Sequence, residues 1–109
     1  MTWMERIIKT HTNVTDAVSH YSRLKSDRYF VWQEEGSNDL EADNGHIESA
    51  MRGSTDLFTR QEADPWIADF EKSLDENDVA WYLNSVQYEE DTGFIHYEWV
   101  WEVMGDGDD

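Results

Sequence analysis

Between Phe94 and Val103 every second residue is large and apolar: Ile95, Tyr97, Trp99, Trp101 and Val103 alternate with His96, Glu98, Val100 and Glu102. Successive side chains of an extended chain point to opposite faces, so a period of two marks a strand with one buried face. A helix cannot bury all five, because residues two apart are separated by about 200° around its axis. The preceding run from Val79 to Tyr88 sets Trp81, Leu83 and Ser85 against Tyr82, Asn84 and Val86 in the same rhythm. Glu89-Glu-Asp-Thr-Gly93 joins the two runs as a short, glycine-containing turn, so the pair reads as a β-hairpin. A lone hairpin is marginal in water, and the rest of the chain must supply more strands and a covering layer.

Arg28-Tyr-Phe-Val-Trp-Gln33 is rich in β-formers and reads as a strand. His46 to Arg60 reads as a longer one, with Ile47, Met51 and Leu57 on one alternating face and Gly53 marking a bulge. Between them, Glu34 to Gly45 is rich in turn-forming residues and reads as a loop. Asp64-Pro65 places a capping acceptor and a fixed φ at the start of a helix. Ile67, Phe70 and Leu74 then line one face of it, with Trp66 adjacent and an end near Asn77. Trp3, Ile7 and Ile8 predict a first helix from about Thr2 to His11, while residues 16–21 fit either a further helical turn or an extended lead-in. The expected order is α-β-β-α-β-β. It gives an α+β two-layer sandwich, a four-stranded, mainly antiparallel sheet with both helices on one face. Residues 1–103 form the one expected domain, and 104–109 an acidic flexible tail.

The 109 residues suit one core, and the six Trp, five Tyr and four Phe supply enough apolar surface to order it. There is no cysteine, hence no thiol nucleophile or disulfide framework. No apolar run approaches the roughly 20 residues of a membrane-spanning helix, and the N-terminus lacks the look of a signal peptide. A cytoplasmic location is the expectation. Asp and Glu number 25 against 8 Lys and Arg, a formal charge of −17. The cations are scattered along the chain, which argues against direct nucleic-acid or anionic-membrane binding.

The carboxylates and histidines fall into no catalytic pattern. No P-loop, G-x-S-x-G or dinucleotide-binding fingerprint occurs. Asp39 to Asp43 starts like a calcium loop, but Asn44 and Ala50 stand where Gly and Glu are required. His11, His20, His46 and His96 have no zinc-ligand spacing; His96 and Glu98 share a strand face, which reads as a polar hairpin face rather than an ion site. The expectation is a protein without catalytic residues, metal or cofactor that acts by contacting other proteins. Trp32, Val100 and part of the Tyr82, Val86 and Tyr88 set are placed on the sheet's second face, where apolar residues dock a partner. The candidate contact residues are Trp32, Glu98 and Val100, with Asp43 and Asn44 in the polar loop.

Several segments carry a family resemblance: Arg28-Tyr-Phe-Val-Trp-Gln33, Glu41-Ala-Asp-Asn44, Gly53-Ser-Thr-Asp-Leu-Phe-Thr59, Asp64-Pro65, Leu83 to Gly93 and Ile95 to Val103. From about residue 14 to residue 103 the chain resembles small tail-completion, or tail-terminator, proteins of long-tailed phages and prophages of Gram-positive bacteria, encoded among head–tail joining genes. The resemblance implies a homo-oligomeric ring, typically a hexamer, that caps the tail tube and forms the surface joining the head. It implies tail and connector proteins as partners, and a location first in the host cytoplasm and then in the virion. The competing expectation from charge alone is an acidic DNA mimic that inhibits a basic host protein.

Overall fold

The computed structural model describes residues 1–41 and 47–105. In chain order it contains α1 (Trp3–Thr12), β1 (Val18–His20), β2 (Arg28–Glu41), β3 (Ile47–Thr59), α2 (Pro65–Glu76), β4 (Ala80–Glu89) and β5 (Phe94–Met104). The α+β architecture and the two helices agree with expectation; the strand count does not. The sheet has five strands in the order β1-β2-β3-β5-β4, and it is mixed, because β1 runs parallel to β2 while the other pairs are antiparallel. The missed strand is the ambiguous lead-in before Tyr21. Three residues are too few to display a period, and its pairing of Val18 with Phe30 is a tertiary contact that no local pattern announces.

A second correction concerns β2, which does not stop at Gln33. It continues through Glu41 and stays paired with β3 down to Glu41 opposite Ile47. Backbone pairing to a neighbour overrides the turn-like composition of that stretch. The bulge expected at Gly53 lies across from it, between Glu34 and Gly36 on β2, and Gly36 takes a φ of 148° there. Gly53 is needed for another reason. A Cβ at that position would overlap the Gln33 carbonyl oxygen and the Trp101 ring, which lies directly over the glycine. The two long strands stretch the molecule to 52 × 23 × 22 Å.

Both helices cover one face of the sheet. Ile7 from α1 and Phe70 and Leu74 from α2 pack on Phe30, Trp32, Leu57, Trp99, Trp101 and Val103. Thr2 and Glu5 form a reciprocal capping box at the start of α1, satisfying two helix-end donors. Asp64 caps α2 through the Trp66 amide, 2.9 Å away. Its carboxylate is fully buried, yet it also takes a two-pronged contact from Arg28 and a 2.7 Å bond from the Thr59 hydroxyl. Burial pushes this carboxyl upward, but the bonds from Arg28, the Trp66 amide and Thr59 outweigh it and hold the pKa below the ordinary value. The Arg28 guanidinium lies 3.7 Å from the centre of the Trp66 ring, so one cation ties the start of β2 to α2. The helices are joined to each other by the Ser73 hydroxyl, which donates to the Thr10 carbonyl at 2.8 Å.

Within this core sits a polar chain. His11 is fully buried, with Nδ1 2.7 Å from the Ile7 carbonyl and Nε2 2.8 Å from the Thr55 hydroxyl. A carbonyl only accepts, so Nδ1 carries the proton and Nε2 accepts from Thr55. The Thr55 oxygen in turn accepts the Trp101 indole N–H at 2.9 Å. All three buried polar side chains are thereby satisfied, and burial lowers the His11 pKa to about 4 against the opposing pull of the Ile7 carbonyl.

Candidate interaction surface

The face away from the helices is built in rows that the strand register defines. Tyr29, Phe58, His96 and Gln87 form one row across β2, β3, β5 and β4; Val31, Asp56, Glu98 and Ser85 form the next. Gln33, Ser54, Val100 and Tyr82 follow. The first row is not open. Tyr29, Val31, Phe58 and Phe94 make a second small apolar cluster, with Ala17 against it. Arginines roof this cluster: Arg23 lies 4.0 Å above Phe58 and Arg60 lies 4.1 Å above Phe94.

His96 sits at the centre of a charged network on this face. Its Nε2 is 2.8 Å from Asp56 and its Nδ1 is 3.5 Å from Glu89, while the ring stacks on Phe58. The bond to Asp56 is the main reason its pKa is raised, ahead of an opposing effect of burial. Glu89 also accepts from Thr92 and from Arg23, and these bonds, working against burial, hold its carboxyl below the ordinary value. Asp56 and Glu89 thus face a histidine on the strand between them, and Glu89 also an arginine of the β1–β2 connection, which clamps the sheet. Among the described residues no group of three His, Cys, Asp or Glu is arranged to hold a metal ion, and no helix is long and apolar enough to cross a membrane.

Of the five candidate contact residues, Glu98 and Val100 share the open face and Trp32 does not join them. Asp43 and Asn44 lie outside the described residues. Glu98 is partly buried on the open face and accepts from Asn84 at 2.7 Å. Val100 is partly exposed on the same face, between Ser54 and Tyr82. Trp32 has to be corrected: it is 3% exposed and belongs to the helix-covered core. Its register partner Thr55 lies opposite Trp99, so Trp32 shares the face of the core tryptophans, while Val31 and Tyr29 take the open face.

Of the Tyr82, Val86 and Tyr88 set expected in part on the second face, Tyr82 lies there, and what residue-level reading missed is the irregularity in β4 that turns the other two away. This outermost strand exposes Tyr82, Leu83, Val86 and Tyr88 by 41–65%. The register shifts between Leu83 and Ser85, leaving Asn84 as an extra residue. One extra residue reverses the alternation, so Val86, opposite Tyr97, and Tyr88, opposite Ile95, turn to the helix side while Tyr82 remains on the open face. Val86 and Tyr88 border a groove lined with them by Arg60, Glu62, Gly93 and Ile95.

No protein-family model matches the chain, and no curated protein matches its sequence. Among solved structures the fold is similar to a chain described as "Virion of native gene transfer agent (GTA) particle", with a TM-score of 0.55. The likeness covers 97% of this chain and 92% of that one at 9% sequence identity, which makes it a likeness of fold.

Proposed function

We propose that this chain is a non-catalytic structural protein of a phage-like particle, acting in tail completion or head–tail joining. In this reading it caps the tail tube as a ring and presents the surface to which the head attaches. The observation that carries it is the fold shared, over nearly the whole of both chains, with a chain of a gene transfer agent virion. Fold alone does not specify a role, so the tail-completion assignment draws on the sequence resemblance as well. The disposition of polar groups supports it. The buried histidine and threonine are committed to hydrogen bonds inside the fold, and the histidine–carboxylate network clamps strands together. The charge of −17 fits a ring traversed by DNA, since a negative lumen repels phosphates over the screened distances of a narrow channel. The chain would accumulate in the host cytoplasm and then enter the particle, with tail and connector proteins as its partners. Electron microscopy of a lysate lacking the gene tests this: overlong or headless tails are expected, and normal virions would rule the role out.

A further inference from the structure

We infer that the groove between α1 and β1 receives a lysine side chain of a partner protein, its stem against Ile8 and Val18 and its ammonium on Asp16. That the partner is another protein of the particle rests on the reading above; the chemistry of the groove does not.

The groove holds about 250 Å³ and is lined by Ile8 and Thr12 of α1, by Asp16, Val18 and His20 of β1 and its lead-in, and by Trp32 of β2. That is below the roughly 300–1,000 Å³ of a cofactor pocket. It is room for about eight waters at roughly 30 Å³ each, the scale of one long side chain. Ile8 is 44% exposed and Val18 half-buried, so the walls offer aliphatic surface to an occupant. The far wall is held under strain. Tyr21 has a φ of 78°, which an aromatic L residue rarely adopts. Its ring lies 3.8 Å from that of His20, and His20 stacks at 3.8 Å on Trp32, so the imidazole is sandwiched. Glu34 accepts from His20 Nε2 at 2.7 Å and from the Tyr21 hydroxyl, which fixes both rings. A strained residue over-determined by its surroundings points to a wall built in advance of its ligand.

The polar groups of the groove select the occupant. The Thr12 hydroxyl is committed to the Ile8 carbonyl at 3.1 Å, and His20 Nε2 to Glu34. The Asp16 carboxylate, exposed on the rim, has no ion pair or hydrogen bond among the described residues. Lys9, about 100° further round α1 than Ile8, makes no ion pair with it. Asp16 disfavours an anion, and Glu34 on the far side of His20 is a second acid. An apolar side chain would cover Asp16 without pairing it, which is unfavourable. A lysine satisfies both halves of the groove, because its stem buries along apolar surface while the ammonium stays at the wet rim. Arginine gains less. Both faces of His20 are occupied and Trp32 is 3% exposed, so neither ring offers a face on which a guanidinium can stack.

Titration of the full chain with Nα-acetyl-lysine amide, followed by nuclear magnetic resonance, tests the site. Weak binding is expected, with amide shifts concentrated at Ile8, Thr12, Val18 and His20. Nα-acetyl-norleucine amide keeps an alkyl stem and lacks the ammonium, and it should bind roughly fivefold more weakly. Asp16→Asn should weaken the lysine probe by a similar factor, about that of one exposed ion pair. The substitution keeps the Asp16 carbonyl that accepts the Val18 amide, and circular dichroism checks the fold. Equal binding of the two probes, an unaffected Asp16→Asn variant or an absence of shifts at the groove would overturn the proposal. So would tighter binding of putrescine, which assigns the groove to a free polyamine, or of Nα-acetyl-arginine amide. In particles, a carbodiimide should join Asp16 to a lysine of a different protein as an amide, the reagent taking up the water; an Asp16 that stays unlinked would remove the partner. The result is separable from the assembly role. Groove shifts alongside normal virions in the lysate lacking the gene would keep the site and remove the role, and defective tails without groove shifts would do the reverse.

Discussion

Thr55 shows how a residue with no local signal can organise an interior. Its hydroxyl stands between the His11 ring and the Trp101 indole, 44 and 46 residues away in the chain. Such a network follows from packing and is not legible from spacing, whereas the burial of Trp99 and Trp101 was legible because period-two alternation states it directly. Trp32 marks the limit of that rule: a strand's parity says which residues share a face, and only the neighbouring strands say which face is covered. The His11 network has a measurable pH signature. With the folded value lowered to about 4 and an unfolded value near 6.5, the unfolded chain binds a proton in that interval that the folded chain refuses. Stability therefore falls as pH drops from 6.5 toward 4, by up to about 1.4 kcal/mol per unit. Asp64 and Glu89, with lowered values, add their losses only below the ordinary carboxylate range, and His96, with a raised value, acts on the alkaline side, losing its contribution as pH rises through that value. Urea midpoints between pH 7 and 4.5 should trace the slope, and His11→Gln should flatten it. An unchanged slope in that variant would place the responsible proton elsewhere.

At the scale of elements, α2 was the most legible part of the chain because its ends carry their own chemistry. Asp64-Pro65 fixes the start, and the observed element runs from Pro65 to Glu76 with the expected apolar face inward. Its C-terminus holds a detail that composition does not display. The Val79 amide bonds the Leu74 carbonyl at 2.9 Å and the Asp78 amide bonds the Asp75 carbonyl at 3.2 Å, the paired pattern that closes a helix through a left-handed residue. That residue is Asp78, with a φ of 57°, where glycine is the usual occupant. An L residue pays about 1–2 kcal/mol for this conformation, partly offset by the roughly 0.5–1 kcal/mol that glycine loses in chain entropy. Asp78 also sets a negative charge at the negative end of the helix dipole. Asp78→Gly should stabilise the protein by roughly 0.5–1 kcal/mol, read as a raised urea midpoint at constant slope, and Asp78→Ala should recover less because it keeps the strain. A destabilised glycine variant would mean that the aspartate side chain holds a contact at the helix end. The β4 bulge was the least legible element, since Asn84 looks like any polar strand residue until its partner strand reveals the extra position.

On the scale of the whole molecule, the layered α+β plan could be anticipated, because amphipathic strands and helices have few ways to hide their apolar faces. The strand order could not, since nothing in the final hairpin says whether β4 or β5 joins β3; the structure places β5 inside and leaves β4 at the edge. The same folding sorts charge. Cations that look scattered in sequence are brought onto distant carboxylates, Arg23 onto Glu89, Arg28 onto Asp64 and Arg60 onto Asp27, while the chain beyond Lys72 is wholly without them. With a formal charge of −17 spread over a body 22–23 Å across, the acids act on one another throughout the molecule when the screening length is long. At 0.01 M salt that length is about 30 Å, more than the cross-section; at 0.15 M it is about 8 Å, and only near neighbours remain coupled. The unfolded chain disperses the same charges, so screening relieves the folded state more than the unfolded one. The Arg28–Asp64 pair, with its carboxylate buried, is little affected by salt. Thermal melting at neutral pH should therefore rise by several degrees between these two ionic strengths, equally in sodium and potassium chloride. A melting temperature that fell with salt would show that surface ion pairs such as Arg60–Asp27 and Arg23–Glu89 outweigh the repulsion, and would reverse the sign assigned to the excess of acids.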